Sequence, residues 1–161
     1  SGVSNAVNLT DGMDGLAGGT VLLALIPYMF FAFKLGNDAV LTLLLSVLGA
    51  LLAYLFYNVK PARIIMGDVG SLSLGALLAS TAIVLGQELS LAIIGLIFVL
   101  ETLSVIIQIG SVKLRGKRVF PYTPIHYSFT IWGMKEKNVV YMFWAVGFIL
   151  AIIGVLMGIN L

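Results

Sequence analysis

Asn8, Asp11 and Asp14 stand three residues apart, and a further carboxylate, Asp68, lies between Gly67 and Gly70. Both groups abut long apolar runs. Carboxylates beside hydrocarbon are costly, so their presence there points to chemistry rather than to solubility. An amide with two carboxylates can hydrogen-bond a base or a sugar, or ligate a hard cation. The i, i+3, i+6 spacing puts the three side chains near one face of a helix that starts early. Helix capping is the plainer alternative, since Asp in a first turn meets the positive helix end. At Asp68, the flanking glycines let a ligand approach the backbone closely. Ser71 follows at an expected helix start, where free N–H groups attract phosphate. A carboxylate in such a place would bind Mg²⁺, which in turn bridges phosphate oxygens. An Asp/Ser cap in a tight turn remains the alternative there too.

Four further features carry potential chemistry. His126 is the only histidine and lies in Phe120-Pro121-Tyr122-Thr123-Pro124-Ile125-His126. Two prolines predict a stiff, non-helical loop that could hold one imidazole over a site. An interfacial histidine without a role is the other reading. Glu101 falls in mid-span, which makes it either a functional group or a protonated or paired interhelical hydrogen-bonding group. Lys113, Arg115, Lys117 and Arg118 form a basic cluster that membrane topology and anionic headgroups alone would call for. Tyr141, Trp132 and Trp144 read as an interfacial aromatic belt.

The elements that must position these residues are membrane helices. The chain is 60% hydrophobic and 10% charged, with a mean hydropathy of +1.11, whereas a soluble domain carries roughly 25% charged residues. Five runs approach the ~20 residues that cross a bilayer as a helix: 16–33, 39–57, 69–86, 89–110 and 139–160. They lack the strict alternation of a barrel strand, so the expected fold is all-α and polytopic, one helical domain over 1–161. Pro27 is expected to kink the first span. Without cysteine, thiol chemistry is excluded. Counting spans puts segments 1–15, 58–68 and 111–138 on one side of the membrane. Eight of the nine Lys and Arg residues fall there, which marks that side as cytoplasmic. Asp11, Asp14, Asp68 and His126 fall on the same side.

The runs Asn5–Gly19, Met66–Gly75, Leu100–Arg118 and Pro124–Phe129 resemble the bacterial phospho-N-acetylmuramoyl-pentapeptide transferases. These belong to the polyprenyl-phosphate N-acetylhexosamine-1-phosphate transferase superfamily. The resemblance covers essentially the whole chain. It implies transfer of phospho-MurNAc-pentapeptide from UDP-MurNAc-pentapeptide to undecaprenyl phosphate, with release of UMP, in peptidoglycan synthesis. It further implies a requirement for Mg²⁺, with Asp68 as its ligand. Asp11, Asp68 and His126 are carried over as the catalytic group. Asn8, Asp11, Asp14, Gly67, Ser71 and His126 are carried over as substrate-binding, with Asp14 a candidate for the uracil. The implied setting is the bacterial inner membrane with the active face cytoplasmic, a possible homodimer, and no nucleic-acid partner.

Two departures stand out. The family usually carries three consecutive histidines, whereas Tyr127 and Ser128 follow His126 here. Family members also have about ten spans, with a paired-aspartate motif and a nucleotide-contacting lysine in their N-terminal half. No two acidic residues are adjacent in this chain. The sequence is therefore expected to be the C-terminal half of such an enzyme and inactive without the N-terminal half. The competing readings are the same chemistry on UDP-GlcNAc, a transporter with Glu101 and the aspartates forming an ion path, and a non-catalytic helical scaffold.

Overall fold

The computed structural model describes residues 1–159. Among these the fold is entirely helical, in the order α1 (Gly2–Thr10), α2 (Leu16–Lys34), α3 (Asp38–Asn58), α4 (Gly67–Val84), α5 (Glu88–Ile94), α6 (Leu96–Arg115), α7 (Ile125–Ile131) and α8 (Glu136–Gly158). Helices α2, α3, α4, α6 and α8 are each long and apolar enough to cross a membrane. The five expected spans are therefore present, within a few residues of the expected ends. The expected last residue of the fifth span, Asn160, lies outside the described residues.

Helix α2 is the most enclosed of the five and packs against α3, α4 and α8. Leu16, Val21, Leu25, Tyr28 and Phe31 are buried along it. It runs through Pro27 as a single helix, and Pro27 is itself buried. Helix α3 is the opposite case. Leu43, Leu45, Leu52 and Phe56 are exposed on it, an outer surface suited to lipid rather than water.

Three expectations need correction. First, segment 1–15 is more than a polar lead-in to the first span: residues 2–10 form the helix α1, which packs on α4 and α6. Its Ala6, Val7 and Thr10 are buried. It runs antiparallel to α4: Ser4 Oγ donates to Leu72 O at 2.6 Å, while Asn8 reaches the start of α4. The contact is close because Gly75 has no side chain; a Cβ there would stand 2.6 Å from Ser4 Cα and 2.8 Å from Val3 O. Second, the expected span 89–110 is broken at Gly95 into α5 and α6. Glycine is a poor helix interior residue, and the chain turns there before α6 continues to Arg115. Third, Trp144 is more than an interfacial anchor. Its Nε1 donates to Gly15 O at 3.1 Å, and its indole covers Gly19 so closely that any side chain there would collide with it.

The polar connections 11–15, 59–66 and 116–135 meet at one end of the bundle. Ala62 N donates to Asp14 Oδ2 at 3.1 Å, and Tyr127 Oη donates to Gly12 O at 2.9 Å. Lys60 pairs with Glu136 and ties the middle connection to the start of α8. These contacts join the three segments that span counting had placed on one side.

The α1–α4 contact gives a direct test. In Gly75→Val the new side chain meets backbone rather than a flexible side-chain tip, so relief requires moving a helix. We expect a loss of about 1–3 kcal/mol, read as a lowered thermal midpoint in detergent. An unchanged midpoint would mean that α1 does not rest on α4 as described.

Candidate active site

Asp68 occupies the first turn of α4, where its charge is favoured by the helix end. It is exposed. Gly67 before it adopts φ +66, a left-handed backbone that a residue with a side chain would enter only at a cost. Asn8, in the last turn of α1, points across to this start. Its Nδ2 donates to Asp68 Oδ1 and to Ser71 Oγ, both at 2.9 Å. Ser71 is buried and its Oγ also donates to Gly67 O at 3.1 Å. The hydroxyl is thus engaged in orienting Asn8 and closing the first turn of α4.

Asp11 is the residue that ends α1, and Asp14 lies in the turn between α1 and α2. The three side chains Asn8, Asp11 and Asp14 therefore do not share a helical face. Helix α1 stops at Thr10, so only Asn8 is helical. What brings the group together is a tight turn, closed where Asp11 N donates to Asn8 O at 3.1 Å and Gly15 adopts φ +82. Burial, and secondarily the charge of Asp68, push the Asp11 carboxyl above its ordinary value. That second cause puts Asp11 and Asp68 in one electrostatic neighbourhood. Asp14 reaches the 59–66 connection, where it accepts from Ala62 N.

His126 is not in the non-helical loop. Pro124 ends that loop and caps α7, and His126 lies in the helix's first turn with its ring fully buried. Nδ1 sits 3.1 Å from Glu101 Oε2. The opposite edge of the ring faces Gly12, with no room for a Cβ between them. Of the two readings of Glu101, the paired interhelical group describes its contact. The two residues that follow His126 have local partners. Tyr127 Oη donates to Gly12 O, and burial pushes its phenol up, so it stays a donor. Ser128 Oγ accepts from Tyr122 N at 3.2 Å and donates back to Tyr122 O.

Two clamps escaped the sequence reading. Asn58 is buried at the end of α3; its Oδ1 accepts from Gly15 N at 2.8 Å and its Nδ2 donates to Ile64 O at 2.9 Å. Gln108 Oε1 accepts from Val119 N and Phe120 N, both at 3.0 Å, while its Nε2 donates to Phe120 O. The only signal for either was an amide near the end of an apolar run. Lys113, Arg115, Lys117 and Arg118 are exposed. Lys113 and Arg118 line a cavity of about 430 Å³ with Gln108 and Tyr122.

Among the described residues no three His, Asp or Glu side chains converge as a metal cage. Mg²⁺ does not need one, since it is commonly held by one or two carboxylates, substrate phosphates and water. An exposed Asp68 beside a half-buried Asp11 fits that pattern.

The raised Asp11 carboxyl fixes the sign of a pH effect. Its folded value lies above its unfolded one, so the stability it contributes is present at low pH and is lost as pH rises through the folded value. Asp11→Asn should therefore raise the thermal midpoint at pH 7 in the presence of a chelator. The gain should vanish at a pH low enough to protonate Asp11 in the parent. A lower midpoint at pH 7 would contradict the assignment.

A family model, glycosyl transferase family 4, matches residues 1–86. The phospho-N-acetylmuramoyl-pentapeptide-transferase of Staphylococcus carnosus (strain TM300) is 50% identical over 159 residues, covering 99% of this chain and 50% of the relative. The protein of the same name from Staphylococcus aureus (strain JH9) gives the same figures. The chain thus spans about half the length of the curated relatives it matches. With its family region taking in Asn8, Asp11, Asp14, Gly67, Asp68 and Ser71, the chain belongs to glycosyl transferase family 4.

Proposed function

We propose that the protein carrying this sequence transfers phospho-MurNAc-pentapeptide from UDP-MurNAc-pentapeptide to undecaprenyl phosphate and releases UMP. The reaction takes place at the cytoplasmic face of a bacterial inner membrane. The observation that carries this reading is the meeting of Asn8, Asp11 and Asp68 at the mouth of the helices. The names of the relatives supply the substrate class. Groups from the rest of such a relative's length complete the site.

Phosphoryl transfer needs positioning and charge neutralisation more than covalent chemistry from the protein. The two substrates bring about three to four negative charges, whose approach is repulsive without a cation. Asp68 would hold Mg²⁺, which when bound neutralises and orients the diphosphate. Asn8 fixes the rotation of the Asp68 carboxylate through its Oδ1. Ser71 acts through Asn8. Gly67, without a side chain, leaves the backbone beside Asp68 open to a phosphate, and the start of α4 adds its N–H groups. Asp11 adds negative charge next to Asp68 and so strengthens the cation site. Asp14 is proposed to contact the uracil, with His126 holding the turn from behind. The lipid phosphate is already ionised at neutral pH and can attack the β-phosphate directly, so no strong protein base is required.

The test is UMP release by the full-length protein with Mg²⁺ and undecaprenyl phosphate, offering UDP-MurNAc-pentapeptide and UDP-GlcNAc in parallel. Release from the muramoyl substrate alone is expected. Asp68→Asn should reduce that rate by at least about a hundredfold, the scale of losing a charge-stabilising group. Its thermal midpoint should match the parent's. Near-normal turnover of this variant at saturating Mg²⁺ would sink the metal assignment, and release from UDP-GlcNAc would change the substrate.

A further inference from the structure

Glu101 lies in α6 with no exposed surface, and its partner His126 is equally enclosed. An acid inside a membrane helix is retained for a reason. Its neighbours on α6 do not supply one: Ser104 Oγ donates to the Glu101 backbone oxygen, not to its carboxyl. Among the described residues the side-chain partner of its carboxyl is His126 Nδ1, at 3.1 Å. With Glu101 ionised its carboxylate only accepts, so in a neutral ring Nδ1 would carry the hydrogen and donate it. In that arrangement Nε2 bears the lone pair, on the ring edge that faces Gly12. Among the described residues neither Nε2 nor Glu101 Oε1 has a hydrogen-bond partner. The Tyr127 ring lies 4.2 Å from the imidazole, and its hydroxyl holds the Gly12 carbonyl. The imidazole is thus fixed on one edge by α6 and pressed on the other against the turn that carries Asp11 and Asp14.

We infer that Glu101 is a positioning residue: it locks the His126 ring in the Nδ1–H tautomer and a single rotation, so that α6, α7 and the Asp11–Asp14 turn form one rigid unit. Buried acids behind imidazoles act in this way at metal sites, where their loss costs about 10–100-fold. Here the imidazole acts on a backbone turn rather than on a metal. The activity consequence rests on the proposed transferase reaction; the tautomer does not.

The experiment uses the full-length protein labelled with ¹⁵N-histidine, the His126 signals being assigned by their loss in His126→Gln. The parent should show a protonated Nδ1 and an unprotonated Nε2. Glu101→Leu, similar in size but without an acceptor, should shift His126 toward a mixture of tautomers. Glu101→Gln keeps an acceptor, so it should retain the tautomer while moving the Nδ1 signal, because the bond loses its charge. In the assay, Glu101→Leu should lower kcat about thirtyfold with KM for the nucleotide substrate little changed, whereas Glu101→Gln should stay within about fivefold of the parent. Adding Glu101→Leu to His126→Gln should cost nothing more, since both break one contact. A parent-like His126 spectrum in Glu101→Leu, or additive losses in the double variant, would overturn the inference. Should the leucine variant fail to fold, an unmoved Nδ1 signal in Glu101→Gln would overturn it equally. If the parent releases no UMP, the transferase reading fails and the spectra still decide the tautomer.

Discussion

The site depends on how closely α1 can lie against α4. Backbone meets backbone at Gly75, where a side chain would collide with Ser4 and Val3. Small residues at a helix contact serve this purpose in membranes, where apolar helices gain little from leaving lipid of equal polarity. That approach brings Asn8 within reach of Asp68 and Ser71 together. One amide then fixes both the carboxylate and the first turn of α4. Since α1 ends two residues later, the same contact also sets where the Asp11–Asp14 turn begins.

Polar backbone at the mouth of a bundle must be satisfied by protein where water is scarce. A few side chains meet most of that need here, each used on more than one group. Asn58 serves the Asp11–Asp14 turn and the 59–66 connection. Gln108 serves three backbone atoms of the 116–124 loop. Tyr127 and Trp144 hold the carbonyls of Gly12 and Gly15, the two ends of one short turn. Removing Asn58 would leave the buried Gly15 N–H unpaired at about 1–3 kcal/mol. Economy of this kind makes the connections interdependent. A displacement of α7 is felt at Gly12, and through Gly12 at Asp11.

The five spans were legible because length and hydropathy alone decide them, and the carboxylates at their mouths because charge is conspicuous against hydrocarbon. Helix α1 was hidden by its nine residues, too few to cross a membrane, and by the polar groups at its end. The break at Gly95 was hidden by an apolar run that continues unbroken through it. Asp68 could be picked out by its flanking glycines, but its partner Asn8 is sixty residues away. Glu101 was conspicuous as an acid in mid-span, yet its pairing with His126 required knowing where α7 turns back. Local pattern reports what a residue must avoid, namely lipid; only the packed chain reports what it meets. The same limit explains Trp144, whose composition suited an interface while its indole was needed over Gly19.

The electrostatics of the mouth pull in two directions. Asp11 and Asp68 concentrate negative charge at the end of α1 and α4, and burial, with the charge of Asp68 second, makes Asp11 hold its proton more tightly than usual. An anionic diphosphate could not approach those carboxylates unaided. Lys113, Arg115, Lys117 and Arg118 supply positive charge at the same end, but they are exposed and screened. Their attraction steers an anion toward the mouth more than it offsets two carboxylates at contact distance. A divalent cation on Asp68 would act at contact. It would remove the repulsion felt by the phosphate and the smaller, electrostatic part of what raises Asp11. Burial is the larger cause of the raised carboxyl, and its smaller cause, the charge of Asp68, is the same charge that a cation would neutralise.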